Sequence, residues 1–568
     1  MKKNWNIKNN SNDATVRNLK EVLNVDRIIA SLLYQRKISG FDEAKSFFRP
    51  DLSELHDPFL MKDMDKAIIR IQDAIAKDEK IMIYGDYDVD GTTSVALVYS
   101  FFRNITSNIG YYIPDRYKEG YGISFKGIEF AAENDFKLII ALDCGIKAID
   151  KIEFANKKGI DFIICDHHLP GEKLPEAIAV LDPKRADCNY PYKELSGCGI
   201  GFKLTQAYSI KNNIPFSDCT CNLDLVATSI ASDIVPITGE NRILAYYGLE
   251  KINANPRPGM KALIDSNKIT KSLTITTLVF VVGPRINAAG RLEHGSKSVE
   301  LLISQNETDA AEIAKSINNT NSQRKDLDQG TTMEAQVILE NDPLTEFKKS
   351  TVLFNPGWHK GVIGIVASRL IEKYYKPTIV LTESDGKATG SARSVKDFDV
   401  YSAIEQCSDL LEQFGGHKFA AGLTLKKENV TAFQQKFEKI VADTITPEQL
   451  IPVVDIDLEI ELHEISEKTT RILRQFAPHG PENMTPLFMA KNVLDTGWAK
   501  VVGQNHLKLE LFQSVNPNIR FNAIAYDKGD FLSFFQRKTP LDIVFKIQDN
   551  EFRGVVSTQL VIEEIRVS

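Results

Sequence analysis

Residues 84–92, YGDYDVDGT, place three aspartates, Asp86, Asp88 and Asp90, two positions apart and directly after the apolar run 81–84. Carboxylates so close together repel one another unless a cation lies among them. With the apolar run 95–102 behind it, the segment reads as strand, acidic loop and buried helix. Three more polar clusters end apolar runs: Asp143 after KLIIAL, Asp166-His167-His168 after IDFIIC, and Asp233 after LDLVATSIA. Carboxylate plus imidazole suits hard or borderline divalent ions, Mn²⁺ or Mg²⁺, and no cysteine lies where a structural zinc site would need it. Two such ions held roughly 3.5–4 Å apart around a central carboxylate can activate a water and polarise a phosphoryl group, and Asp143 is the candidate for the central place. Taken singly, each aspartate is an ordinary cap or turn residue. Those ordinary roles explain the joint pattern poorly.

A second set of residues has the chemistry of phosphate binding. Arg393 beside Ser391 in GSARS offers a planar fork and a hydroxyl to an oxyanion. Gly415-Gly416-His417 would let backbone N–H groups approach a phosphate. Arg116 in PDRYKEGYG, with Arg285 and Arg291 in GPRINAAGRL, lies among glycines and aromatics and could grip backbone phosphates while Tyr117 or Tyr121 stacks on bases. Tyr121 could equally be a packing residue. His359-Lys360 precedes a helical stretch, where a helix N-terminus favours anions. Phe512, Phe521 and Tyr526 are aromatic residues in expected strands, and most are assigned to a core rather than to base stacking.

Positioning these groups requires an α/β scaffold. Strands alternate with helices through the first half, which argues for a largely parallel sheet whose ligands gather beyond the carboxyl ends of its strands. The expected division is an N-terminal helical segment over 1–57 packed on this first domain, a metal-binding catalytic domain over 58–255, and a connecting region over 256–345. That region holds a helix from about 307 to 340, polar on most faces as a bridge between domains would be. A second α/β domain over 346–450 and a strand-rich domain over 451–568 follow, the last with five short strands suited to a small β-barrel.

The 568 residues are 43% hydrophobic and 26% charged, the composition of an ordinary globular protein. Neither an N-terminal apolar leader nor a stretch long enough to span a bilayer is apparent, so a cytoplasmic protein with no membrane partner is expected. Seven cysteines, several inside apolar runs, read as reduced thiols. This includes Cys219 and Cys221. A formal charge of −7 does not exclude a nucleic-acid partner, because carboxylates around a metal count fully in that sum while being locally neutralised.

YGDYDVDGTTS, ALDCG, CDHHLP and ASDIVP, in this order, resemble the four motifs of the DHH phosphoesterase superfamily, and GSARS with GGHKFAAG resembles its DHHA1 substrate domain. With PDRYKEGYG, GPRINAAGRL and a terminal barrel, the chain is similar to the superfamily's single-stranded-DNA exonuclease branch. The resemblance implies a DHH domain, a bridging helix, a DHHA1-like α/β domain and an OB-like barrel. It implies two Mn²⁺ or Mg²⁺ ions on Asp88, Asp90, Asp143, His167 and Asp233, with His168 on the scissile phosphate. It further implies 5′→3′ release of mononucleotides in DNA repair and recombination, by a monomer partnered by a single-strand-binding protein and a helicase. Many relatives outside that branch carry a histidine where Tyr84 stands, which leaves the role of Asp86 as a helper open. The alternatives are a phosphodiesterase of short oligonucleotides or dinucleotides, and an inactive nucleic-acid-binding scaffold.

Overall fold

A computed structural model describes residues 3–8, 13–552 and 554–567. In the first domain, β1 (Lys80–Gly85) feeds α1 (Val89–Phe102), followed by β2 (Ile109–Tyr112), β3 (Phe136–Leu142), β4 (Asp161–Cys165) and β5 (Ala179–Leu181). All pair in parallel in the order β2-β1-β3-β4-β5. Alternation along β1 sends Ile81 and Ile83 to one face and Met82 and Tyr84 to the other, and each face has its own apolar core. Because both faces are covered, the strands are continuously apolar and their carboxyl ends are where polar groups emerge. Asp86, Asp143 and Asp166 each stand just past such an end.

α2 (Gly197–Asn212) and α3 (Leu223–Ser232) pack on α1 and are buried along most of their lengths. Residues 278–292, where glycine and proline blur the helical period, form a π-turn at Leu278–Val282 and then α4 (Gly283–Leu292). α5 (Glu307–Asn341) is the expected bridge, 35 residues long. The second sheet, β6 (Thr351–Phe354), β7 (Thr378–Ser384), β8 (Lys387–Arg393), β9 (Leu411–His417) and β10 (Ala420–Leu425), runs in the order β9-β10-β8-β7-β6. α6 (Ile363–Tyr374) lies against it.

The C-terminal domain is a seven-stranded sheet in which five strands close into a barrel, and one of those five, Phe488–Asp495, is not among the expected strands. Phe488–Asp495 pairs with both His506–Gln513 and Leu541–Phe552 and so closes it. Its register shifts between Ala490 and Val493 and exposes two consecutive residues there, which erases the alternation that would have marked it as a strand.

The N-terminal segment is a correction. Helices Asp13–Val22, Arg27–Gln35 and Phe41–Phe48 bury Leu19, Ile29, Leu32 and Leu33 against the barrel, not against the first domain. Strand Asn4–Ile7 pairs with Val453–Ile456. Among the described residues of the expected segment, Leu52 and Leu55 are the apolar side chains that reach the first core. An apolar stripe tells that a face is buried, and many partners have equally apolar faces.

Candidate active site

The ends of β1, β3 and β4 and the C-terminus of α3 bring the four acidic clusters together. His167 Nε2 lies 3.2 Å from Asp143 Oδ1, 3.5 Å from Asp233 Oδ2 and 3.7 Å from Asp90 Oδ2. Both His167 ring nitrogens are buried and have no hydrogen-bond partner among the described residues, nor does Asp86 Oδ2. Burial, and then the charges of Asp90, Asp88 and Asp233, pushes Asp143 well above the usual carboxylate range. Asp233 rises to about 8 by burial and by Asp90 and Asp88. Burial lowers His167, which keeps its nitrogens free to act as ligands. A buried, mutually repelling set of oxygens around an unpartnered imidazole fits a divalent cation. Asp143 also sits at φ 57°, in the left-handed region, a strained conformation for a residue other than glycine.

Asp90 and Asp88 are each held in place. Asp90 accepts from Gly197 N (2.7 Å), Cys198 N (2.8 Å) and Ser229 Oγ (2.6 Å), so the N-terminus of α2 and a hydroxyl of α3 fix its carboxylate. A Cβ on Gly197 would stand 2.6 Å from Asp143 Cβ, and only glycine allows this approach. Asp88 caps α1 by accepting from Gly91 N (3.0 Å), so the ordinary capping role holds for it beside any other. Asp166 accepts from Ile146 N, His167 N and His168 N and from His168 Nδ1 (2.7 Å). Against the upward push of burial, His168 and these N–H groups hold Asp166 at about 2. Against its own burial, the bond to Asp166 raises His168 to about 9, with its Nε2 3.3 Å from the Tyr121 hydroxyl.

A cleft of about 470 Å³ opens beside this cluster between the first and second domains. Arg116, Tyr121 and Arg291 line one wall, and Ser391, Arg393 and Gly415 the other. Cross-strand register explains the second wall: Gly415 faces Gly422, which faces Ser391, so two glycines leave space over one row of the sheet. Ser391 and Arg393, two apart, share that face while Ala392 goes to the core. Among the described residues, Arg116, Arg291 and Arg393 have no carboxylate partner. Burial, then Arg116 and Arg324, lowers Arg291 to about 10. Converging guanidinium groups without counter-ions form an anion site.

Residues 80–230 match the DHH family N-terminal domain, 348–443 the DHHA1 domain and 456–564 the RecJ OB domain. The single-stranded-DNA-specific exonuclease RecJ of Bacillus subtilis is 35% identical over 99% of this chain and 71% of its own length. This chain belongs to the RecJ family. The RecJ of Escherichia coli is 34% identical over 89% of this chain and 90% of its own. The fold matches a crystal structure of RecJ with Mn²⁺ from Thermus thermophilus, with a TM-score of 0.84 at 24% identity over 100% of this chain and 80% of that one.

Within this RecJ-family cleft, some of the expected binding residues fall elsewhere. Arg285 is structural: its guanidinium donates to Asn318 Oδ1 (2.8 Å), Val281 O (2.5 Å) and Asn267 Oδ1, so no donor fork faces the cleft. It lies six residues before Arg291, about 120° short of two full turns of α4, and so points to another face. His359 stands outside the lining, where its Nδ1 accepts from Gly361 N. Gly416 and His417 also lie outside it, continuing edge strand β9 with His417 exposed. The segment 415–417 is paired strand and not the open turn its glycines imply. Ser229, Gly197 and Tyr87 are contributors the motifs did not single out. Tyr87 carries Arg116 over its ring at 4.8 Å, and the small residues 196–199 opening α2 were the available signal for Gly197.

Proposed function

We propose that this protein is a single-stranded-DNA-specific exonuclease that releases 5′-mononucleotides, working 5′→3′ by phosphodiester hydrolysis in DNA repair and recombination. The observation that carries the reading is the arginine-lined cleft set directly beside the buried aspartate–histidine cluster. Asp88, Asp90, Asp143, His167 and Asp233 would hold two Mn²⁺ or Mg²⁺ ions. When bound, these ions supply Lewis-acid polarisation of the phosphoryl group and a water acidic enough to attack it.

The chain's own residues bind and orient. Asp90 is fixed by α2 before any ligand arrives, so little rearrangement is needed. His168 keeps its proton, held by Asp166, and offers Nε2 as a cationic donor to a phosphate oxygen. Arg116, Arg291, Arg393 and Ser391 take the terminal phosphate, and the Tyr121 ring lies against the nucleotide. The barrel supports strands longer than a dinucleotide, which weighs against a short-oligonucleotide enzyme. The retained acidic and histidine residues weigh against an inactive scaffold. A monomer in the cytoplasm, working with a single-strand-binding protein and a helicase, completes the reading. Its free cysteines agree with a reducing compartment, and among the described residues no helix is long and apolar enough to cross a membrane.

The test is digestion of 5′- and 3′-labelled single strands and duplexes with Mn²⁺ or Mg²⁺. Mononucleotides released first from the 5′ label of single strands are expected. Equal rates on duplexes, or release from the 3′ end, would overturn the reading.

A further inference from the structure

Tyr84 is the penultimate residue of β1, one face of which packs against α1, the helix that carries Asp90. It is fully buried on the other face of the sheet, with its ring stacked on Tyr112 at 5.5 Å. Its hydroxyl donates to Gly122 O (2.9 Å) and accepts from Ser124 N (3.1 Å). The Gly122 N–H is taken by Asp86 Oδ1 at 3.2 Å. Tyr84 and Asp86, both at the carboxyl end of β1, thus grip neighbouring main-chain groups of the same short segment.

That segment carries the exposed half of the cleft. Arg116 lies over the Tyr87 ring, and Tyr121 meets both Tyr87 and His168 edge-on. Gly120 and Gly122 have φ of 86° and 78°, so the loop has left-handed joints on both sides of Tyr121 and needs outside restraint to hold one shape. Glu119 supplies more of that restraint, accepting from Asp115 N (2.9 Å), Tyr112 Oη (3.0 Å) and Ser124 Oγ (2.5 Å). Ser124 also caps the helix Phe125–Glu133 through Gly127 N. Tyr84, Tyr112, Glu119 and Ser124 form one polar network under the loop, buried at Tyr84 and Ser124 and half-buried at Tyr112 and Glu119, and such networks specify a single geometry when every member is satisfied.

We infer that Tyr84 and Glu119 are positioning residues that clamp the loop 115–124 from beneath and so set Arg116 and Tyr121 against the incoming strand. Strand binding then depends on the face of β1 that carries Tyr84, and metal binding on the loop and helix that follow its carboxyl end. The inference rests on the exonuclease reading above.

Tyr84→Phe keeps the stacked ring and removes the hydroxyl alone. On 5′-phosphorylated single-stranded DNA with Mn²⁺, its KM is expected to rise about five- to tenfold, the worth of one net hydrogen bond. The change in kcat is smaller. Glu119→Ala, on the far side of the loop, is expected to move KM in the same direction, and manganese affinity measured by calorimetry is retained in both variants. If Tyr84→Phe does not fold, Glu119→Ala decides alone. An unchanged KM, or a loss of manganese affinity as large as the rise in KM, overturns the inference. Wild-type protein inert on every single strand would overturn the exonuclease reading instead.

Discussion

Ser229 and Arg285 show how far residue type alone can mislead in both directions. Ser229 lies inside an apolar helix, yet its hydroxyl donates to Asp90. Outer partners of ligating carboxylates orient them, so Ser229→Ala should weaken manganese binding about ten- to a hundredfold, measured by calorimetry. Arg285 and Arg291 share one motif, but Asn318, Val281 and Asn267 saturate Arg285. Arg285→Ala should cost about 1–3 kcal/mol in chemical denaturation by leaving those acceptors unpaired, with the KM for single strands unchanged. Arg393→Ala, by contrast, should weaken strand binding and lower the slope of log K against log salt by about 0.7, the signature of one lost single-strand phosphate contact.

α5 and the sheet edges show which element properties matter for assembly. The polar α5 is tied to the second domain by Asp328, which is fully buried. Asp328 pairs with Arg324 on its own helix (2.8 Å) and with Arg369 on α6 (2.7 Å). Removing one member of a buried ion network strands the others. Asp328→Ala should therefore destabilise by about 3–5 kcal/mol, read as a lower denaturant midpoint, and the second domain is expected to unfold first. The period of α5 was legible because a bridging helix must be polar on most faces. Strand Phe488–Asp495 was not, since a bulge removes the alternation that reading depends on.

The three domains and the N-terminal helices are joined by contacts far apart in the chain. Arg242, in the first domain, donates to five carbonyls, those of Phe47, Gln475, Phe476, Ala477 and Pro478, and lies 3.9 Å over the Phe47 ring. His479 is buried beside this junction. Burial, and then Arg36 and Arg242, lowers it to about 4 against the ordinary imidazole value of 6.5. It stays neutral in the fold, so its contribution is complete above about pH 6.5 and is lost as pH falls towards 4. The loss is about 3 kcal/mol. His479→Gln should flatten the acid limb of stability between those pH values, as followed by thermal unfolding across pH. The strand-then-acid segments that converge on the site were readable from sequence, because parallel strands end at one edge of a sheet whatever else the chain does. Which side chains face the cleft was not readable. Whether Arg285 or Arg291 meets it depends on helix phase, and whether Gly415 or His417 does depends on cross-strand register. The N-terminal helices found the barrel instead of the catalytic domain because burial of an apolar stripe is non-directional, and only the assembled surfaces decide which partner fits.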